Sequence, residues 1–458
     1  MGFFKNYQNS CLLSTRTSLQ AKDIELSHRS AGSGALKDMM FKRILVGGLA
    51  GLILAICFSG CVNSVVKHSG FYKKRIATEP VERKVVNEGR VEKIGRGTNE
   101  ITVLYLKGSH YEMGFQHGKL LKDDLRDSLY QVLNLCYELA GKKAKLPLLG
   151  KAVTNCLLDE AYKRMEPYIP KDDKEEMEGL ADGSGISLQD IHRVHAIPGL
   201  TETSCSAIAA FGKATEDGNL YQLRVLDYIT ELGIQEHPVI IVYQPDEGNS
   251  FVNIGWAGFI GVISGMNKEG IAISQMGYGG PGDEQPGIPT PAPKETLEGV
   301  PMVFLLKKVL RYADNVEHAT GIMRSADKTN YYVYVIGDGI TESGNPEIRG
   351  YISTNKFCRV YKANDPKYPI PALDDVVYGS HYNEKCYQLL QVLYGQIGPS
   401  VIMDKITPAI SMQANLQCVV YDPKNLRFWV ANAEGPEGRA CEQDYVFFDF
   451  GKALTSFK

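Results

Sequence analysis

The chain has 458 residues, with 50 Lys+Arg against 53 Asp+Glu and a formal net charge of −3. Hydrophobic residues make up 44% and charged residues 22%, enough apolar material for a sizeable core, which excludes disorder over the whole length. The near-neutral balance, with a pI near 6.3, offers no global field for nucleic acid, and no nucleic-acid partner is expected.

The first 38 residues are polar, rich in Ser and without a sustained period; Lys42 and Arg43 then precede an uninterrupted apolar run over 44–58. A bilayer span needs about 20 apolar residues, so this run fits the apolar part of a secretory signal better than a permanent anchor. It ends in Phe58-Ser59-Gly60-Cys61, which resembles a bacterial lipobox, where two small residues precede a Cys that receives lipid before the signal is cut. Residues 1–60 are therefore expected to be an N-terminal extension and lipoprotein signal peptide, with translation starting at Met39 or Met40. Cys61 is the expected lipidation site, and a bacterial envelope membrane the expected location. The competing reading is an uncleaved transmembrane anchor. Residues 61–100, rich in Lys and Arg, read as a membrane-proximal tether.

The folded body is expected from residue 101. A strand over 101–106 leads into a long helix over 111–139, whose Met113, Leu120, Leu121, Leu125, Leu129, Val132 and Leu133 recur at about 3.6 residues. Further helices are predicted over 152–168 and 172–181, and Ser187 with Asp190 three residues on caps another that ends near Pro198. From Cys205 the pattern changes to short β-rich runs over 207–211, 220–226, 239–243, 251–254, 259–263 and 271–274, separated by Asp-Gly, Glu-Gly and Asn-containing turns. A Gly/Pro-rich loop covers 277–293. Helices return over 300–312, 316–325 and 382–394, and strands over 331–336, 417–421 and 428–430 close the chain. Closely spaced strands with outer helices imply antiparallel sheets covered by helices.

Of ten cysteines, Cys136, Cys156, Cys358, Cys386, Cys418 and Cys441 remain once Cys11, Cys57, Cys61 and Cys205 are set aside. An exported protein permits disulfides, but no pairing is assigned; no C-x-x-C spacing suggests structural zinc. His192 and His195 lie three apart on a predicted helix without a further ligand at motif spacing, and the glycines over 277–282 are not followed by Lys-Ser/Thr. No metal or organic cofactor is expected.

The chemistry concentrates where helix gives way to sheet. Thr203-Ser204-Cys205-Ser206-Ala207 opens a strand, an Asp217-Gly218 turn follows, and Arg224-Val225-Leu226-Asp227-Tyr228 ends the next run. This arrangement resembles the isopenicillin-N acyltransferase family of N-terminal-nucleophile cysteine hydrolases, related to choloylglycine hydrolases and acid ceramidase. Gly108-Ser109-His110-Tyr111-Glu112-Met113-Gly114-Phe115-Gln116-His117-Gly118 is similar to that family's opening segment, and Ser264-Gly265-Met266-Asn267-Lys268-Glu269-Gly270 to its G-M-N hairpin. The resemblance implies an α+β fold, a four-layer αββα sandwich of antiparallel sheets. Residues 101–204 would be a mostly helical small chain and 205–458 the catalytic chain, one folded unit that stays associated after cleavage at Ser204–Cys205.

Cleavage there would give Cys205 both a thiol, with a pKa of about 8.5, and an α-amine of about 7.7–8.0, so that one residue supplies nucleophile and base. By the same resemblance Arg224 places positive charge beside the thiolate, Asp227 holds the α-amine, and Asn355 of Ser353-Thr354-Asn355 donates to the oxyanion. The second donor is open, with Gln275 and Tyr278 as guesses. One difficulty concerns parity: residues three apart on a flat strand face opposite sides, so Arg224 and Asp227 converge only if the strand bends. The implied activity is hydrolysis or transacylation of a small-molecule, non-peptide amide through a Cys205 thioester. The alternatives are a non-catalytic surface lipoprotein using the fold as a binding module, and a His-assisted thiol hydrolase drawing on His237, His318 or His381.

Overall fold

A computed structural model describes residues 88–95, 100–144, 149–200, 204–277, 287, 289 and 295–456. The apolar run 44–58, the Cys61 motif, Tyr278 and most of the 277–293 loop lie outside these. Among the described residues no helix is long and apolar enough to cross a membrane.

Among the described residues fifteen strands form two sheets: β1 (Arg90–Ile94), β2 (Ile101–Gly108), β3 (Ser204–Gly212), β4 (Gly218–Asp227), β5 (Pro238–Pro245), β6 (Phe251–Trp256), β7 (Gly265–Asn267), β8 (Ile271–Gly277), β9 (Tyr332–Asp338), β10 (Glu347–Ser353), β11 (Cys358–Lys362), β12 (Val376–Ser380), β13 (Asn415–Asp422), β14 (Arg427–Asn432) and β15 (Val446–Asp449). One sheet has the order β1-β2-β5-β6-β7-β8-β9-β10-β11, the other β12-β3-β4-β13-β14-β15. Every pairing of these strands is antiparallel except β2 with β5. That parallel pair corrects the expectation of purely antiparallel sheets, and it arises because β2 belongs to the segment before Cys205 and reaches β5 only through the helical layer.

The helices that matter are α1 (His110–Leu120), α2 (Lys122–Ala144), α3 (Gly150–Met165), α4 (Lys171–Ser184), α5 (Leu188–Ala196), α6 (Met302–Tyr312), α7 (Val316–Ser325) and α8 (Asn383–Val392). The two sheets pack face to face through β3, β4, β8 and β9. A large core cluster fills the space between the nine-stranded sheet and α1 to α7. Cys386 and Leu390 of α8, with Ile402, Ile406 and Ile410, cover the outer face of the six-stranded sheet. The result is the α+β, four-layer αββα arrangement.

Local sequence explains the helix starts. Ser109 and Glu112 form a reciprocal capping box on α1, with Ser109 N–H donating to Glu112 Oε2 at 2.9 Å, and Ser187 Oγ accepts from Asp190 N at 3.1 Å to cap α5. The expected long helix over 111–139 is two helices broken at Leu121; Met113, Leu121, Leu125, Leu129, Val132 and Leu133 are buried, whereas Leu120, just before the break, is exposed. Gly114 and Gly118 of α1 meet Gly179 and Gly183 of α4 backbone to backbone. A Cβ at Gly114 would stand 2.0 Å from the Glu176 carbonyl oxygen, and one at Gly179 2.0 Å from that of Tyr111.

Two further expectations change. Residues 90–94, read as part of a solvated tether, form edge strand β1 against β2; its charged side chains face solvent, as suits a sheet edge. Residues 259–263, read as a strand, form a loop. Its backbone donors leave the sheet: Gly258 N donates to His117 Nε2 and Ile260 N to His195 Nε2, both at 3.0 Å, while Val262 N donates to the Val303 carbonyl at 3.0 Å. The alternation of apolar residues there reflects packing against helices. All seven described cysteines are free thiols.

Candidate active site

Cys205 is the second residue of β3 and is fully buried. In the antiparallel pair with β4, Ser204 stands opposite Asp227, Cys205 opposite Leu226, and Ala207 opposite Arg224. Directly opposed residues share a face, so the Cys205 thiol and the Arg224 side chain lie on one face as diagonal neighbours. That face looks into the space between the sheets: Gln222, two residues before Arg224, donates to Ser274 Oγ of β8 at 2.9 Å, and Arg224 Nη2 donates to Gln275 Oε1 at 3.1 Å.

The register answers the parity question. Arg224 and Asp227 do not converge: they lie on opposite faces of β4, one level with Ala207 and the other with Ser204. Arg224 sits on the thiol's face, whereas Asp227 ends β4 level with Ser204, across from the Ser204–Cys205 peptide bond. Arg224 is fully buried; among the described residues it makes no salt bridge, and its Nε and Nη1 have no acceptor. A guanidinium in this state favours an anion placed next to it.

Asp227 is also buried. Its Oδ1 accepts from Met412 N at 3.1 Å and from Asn415 Nδ2 at 3.0 Å, and its Oδ2 has no partner among the described residues. Burial pushes its pKa up to about 7, against the lowering effects of the Met412 and Asn415 hydrogen bonds and of Arg224 and Arg439. Asn415, which sequence reasoning missed, is delivered by a bulge in β13: Asn415 pairs with Asp227 but Gln417 with Leu226. Its side chain also accepts from Cys441 N at 2.8 Å, which fixes the amide so that its NH2 faces the carboxylate. The only sequence signal is an Asn two positions ahead of a predicted strand.

Asn355 follows β10 in a tight turn in which Thr354 N donates to the Phe357 carbonyl at 2.9 Å and Thr354 Oγ1 accepts from Lys356 N at 3.0 Å. Ser353, Tyr332 and Gly277 stand in line across the nine-stranded sheet. Tyr332, whose ionisation burial pushes well up, lies close enough to Cys205 to feel a charge on its sulfur. Asn355 thus lies two residues beyond the end of β10, the strand that pairs with β9 at Tyr332. Gln275 is engaged as an acceptor by Arg224. Of the helical histidines, His195 Nδ1–H donates to the Ile191 carbonyl at 2.8 Å, and His192 stacks on Tyr162.

A recess lined mainly by apolar side chains of α2, α5, the 257–263 loop and β4, including Leu129, Val194, Leu226, Phe259 and Ile263, adjoins the strand that pairs with Cys205. Leu226, the cross-strand partner of Cys205, and Tyr332 both border it. Its loop wall is pinned by His117 and His195, whose pKa values burial lowers to about 3 and about 4, so both rings stay neutral and keep accepting. His195→Leu leaves the buried Ile260 N–H unmet and is expected to cost about 1–3 kcal/mol. Above pH 7 both folded and unfolded His195 are neutral, so this gap should be constant from pH 7.5 to 9. As pH falls from 6.5 toward 4, only the unfolded parent takes up the proton, and the gap should narrow; urea titrations at several pH values check both parts.

No family model matches the chain. It is 28% identical over 378 residues to Protein dcd1A of Dictyostelium discoideum, an alignment covering 75% of this chain and 81% of that one. It is 29% identical over 286 residues to Protein dcd1B of the same organism, covering 59% of this chain and 54% of the relative. Among solved structures, the Caenorhabditis elegans ortholog of N-acylethanolamine-hydrolyzing acid amidase aligns at a TM-score of 0.33 and 13% identity, over 48% of this chain and 93% of that one. A mutant form of conjugated bile acid hydrolase from Clostridium perfringens aligns at 0.35 and 11%, over 54% and 93%.

Proposed function

We propose that the chain is a self-processing cysteine hydrolase or acyltransferase of the N-terminal-nucleophile kind, acting on a non-peptide amide C–N bond. One observation carries the reading: a buried thiol at the start of a strand, with an uncompensated guanidinium on its own face and an unpartnered carboxylate oxygen across from the preceding peptide bond. In the first step Cys205 Sγ attacks the Ser204 carbonyl carbon, the C–N bond breaks, and the Cys205 nitrogen leaves as an amine while a thioester forms. Water then hydrolyses the thioester, giving a Ser204 carboxylate and a free thiol. Asp227, level with this bond, takes the thiol proton and passes it to the departing Cys205 nitrogen, and afterwards holds the new α-ammonium.

The same thiol then attacks a substrate amide. The acyl group passes to sulfur, the amine leaves with a proton, and water or a second amine resolves the thioester. Arg224 supplies positive charge beside the sulfur, and the Asn355 amide donates to the oxyanion.

Intact-mass analysis of the purified protein beside a Cys205→Ala variant tests this. Two fragments meeting between Ser204 and Cys205, with the variant whole, are expected. A single unbroken chain whose Cys205 also resists alkylation overturns the reading and leaves a binding module.

A further inference from the structure

The recess bordered by Leu226, the cross-strand partner of Cys205, contains a polar group that no described residue satisfies. Trp256, the last residue of β6, borders the recess and is 3% exposed, and its indole Nε1–H has no acceptor among the described residues. An indole N–H can only donate, and buried tryptophans ordinarily find a partner for it. A buried polar atom left unpaired calls for an explanation, and a ligand acceptor is one that fits its position in the wall of a cavity. Small-molecule sites combine apolar walls with a few placed polar groups, and this recess has that make-up.

We infer that this recess receives the acyl part of the substrate, and that Trp256 is a specificity-determining residue that reads a hydrogen-bond acceptor carried within an otherwise apolar acyl group. The assignment of the acyl side rests on the amide-hydrolase reading above. The space opens past Leu226, on the thiol's own face, where a group esterified to sulfur has to lie. Among the described residues no carboxylate lines it, so a departing ammonium would be buried without a counter-charge there and leaves elsewhere. An acyl chain with an ether, keto or hydroxyl oxygen at the matching position gives the indole its acceptor, whereas an all-carbon chain leaves it unmet.

The chain has two tryptophans. Trp429 lies in β14, remote from the recess, with its ring 5.4 Å from that of Phe447. In a Cys205→Ala, Trp429→Phe protein, which cannot react and whose one indole is Trp256, fluorescence titration follows binding directly. The probes are decanamide and the set of its isosteres in which a single ether oxygen replaces one methylene at each position.

Decanamide is expected to bind, and one isostere to bind about 5- to 10-fold more tightly, the worth of one net hydrogen bond, with a red shift of Trp256 emission. Trp256→Phe, followed by calorimetry, should erase that preference, so that no isostere binds more tightly than decanamide. The inference is overturned if every isostere binds more weakly than decanamide, if the preference survives Trp256→Phe, or if nothing binds. Because binding is measured without a nucleophile, the two readings fail separately. Self-cleavage without an ether preference removes the Trp256 inference alone. An ether preference without self-cleavage removes the amide-hydrolase reading and keeps Trp256 as the reader of a bound ligand.

Discussion

Asp227→Asn should yield a protein that is more stable than the parent above pH 7 and that scarcely cuts itself. The stability half follows from linkage. Asp227 has a folded pKa of about 7, raised by burial from 3.8. A raised carboxyl pKa contributes stability that is complete below 3.8 and is lost as pH rises through 7, because above that the folded state must carry a buried charge that the unfolded state solvates. At pH 8 the accumulated loss has a ceiling of roughly 4 kcal/mol at about 1.4 kcal/mol per pKa unit. Asparagine keeps the acceptor for Met412 N and Asn415 Nδ2 and removes the charge. The urea midpoint of the variant should therefore exceed the parent's at pH 8, and the difference should shrink toward pH 4. The processing half follows from position. With no carboxylate across from the Ser204–Cys205 bond, the leaving amine loses its proton partner, and general-base effects of this kind are worth about 10²- to 10⁴-fold in rate. Parent processing should climb between pH 6 and 8 as Asp227 ionises, and the variant's slow rate should lack that rise. Equal processing rates in parent and variant would remove Asp227 from the reaction.

How much of this is legible without the fold is best seen in the β3–β4 hairpin. The Cys205, Arg224 and Asp227 side chains, the intervening turn and the change from helix to sheet are all visible in sequence. Which of the two charged residues shares the thiol's face is not. Near the turn Gly212 pairs with Gly218, but from Ala210 with Tyr221 onward the register is displaced by one residue. Without that bulge Cys205 would face Val225, and Asp227 rather than Arg224 would lie on the thiol's side, since a one-residue slip exchanges the faces of a strand. The second bulge, in β13, hides Asn415 in the same way. β10 is the strand expected ahead of Thr354, but its Gly350 is explained only by the fold: a Cβ there would stand 2.9 Å from Val377 Cγ1 of the other sheet, so tertiary packing, not local propensity, sets the residue. Trp256 carries no motif at all, and only the cavity beside it marks it out.

The second large effect concerns what would hold the two segments together after the proposed cleavage. Asp172, Asp173 and Glu176 of α4 precede the Ser204–Cys205 bond, and Lys307 and Arg311 of α6 follow it. Lys307 Nζ lies 2.6 Å from Glu176 Oε2 and 3.2 Å from Asp173 Oδ1, Arg311 Nη2 lies 3.2 Å from Asp173 Oδ1, and Tyr243 donates to Glu176 Oε1 at 2.8 Å. Lys307, Asp173 and Glu176 are fully buried. Removing one partner of such a cluster strands the others, and Lys307→Met should cost about 3–5 kcal/mol in the uncut Cys205→Ala protein, read from urea denaturation. Raised salt should not reproduce this, because buried pairs are poorly screened. In the processed protein the same loss falls on an association between two separate chains, so the fragments should part on dilution in size-exclusion chromatography while the parent's stay together. Adding Glu176→Gln to Lys307→Met removes the stranded charge and should recover much of the loss, which separates charge burial from a mere packing defect. A Lys307→Met protein within about 1 kcal/mol of its parent would show that the parallel β2–β5 pair and the glycine-lined contact of α1 with α4 align the segments unaided.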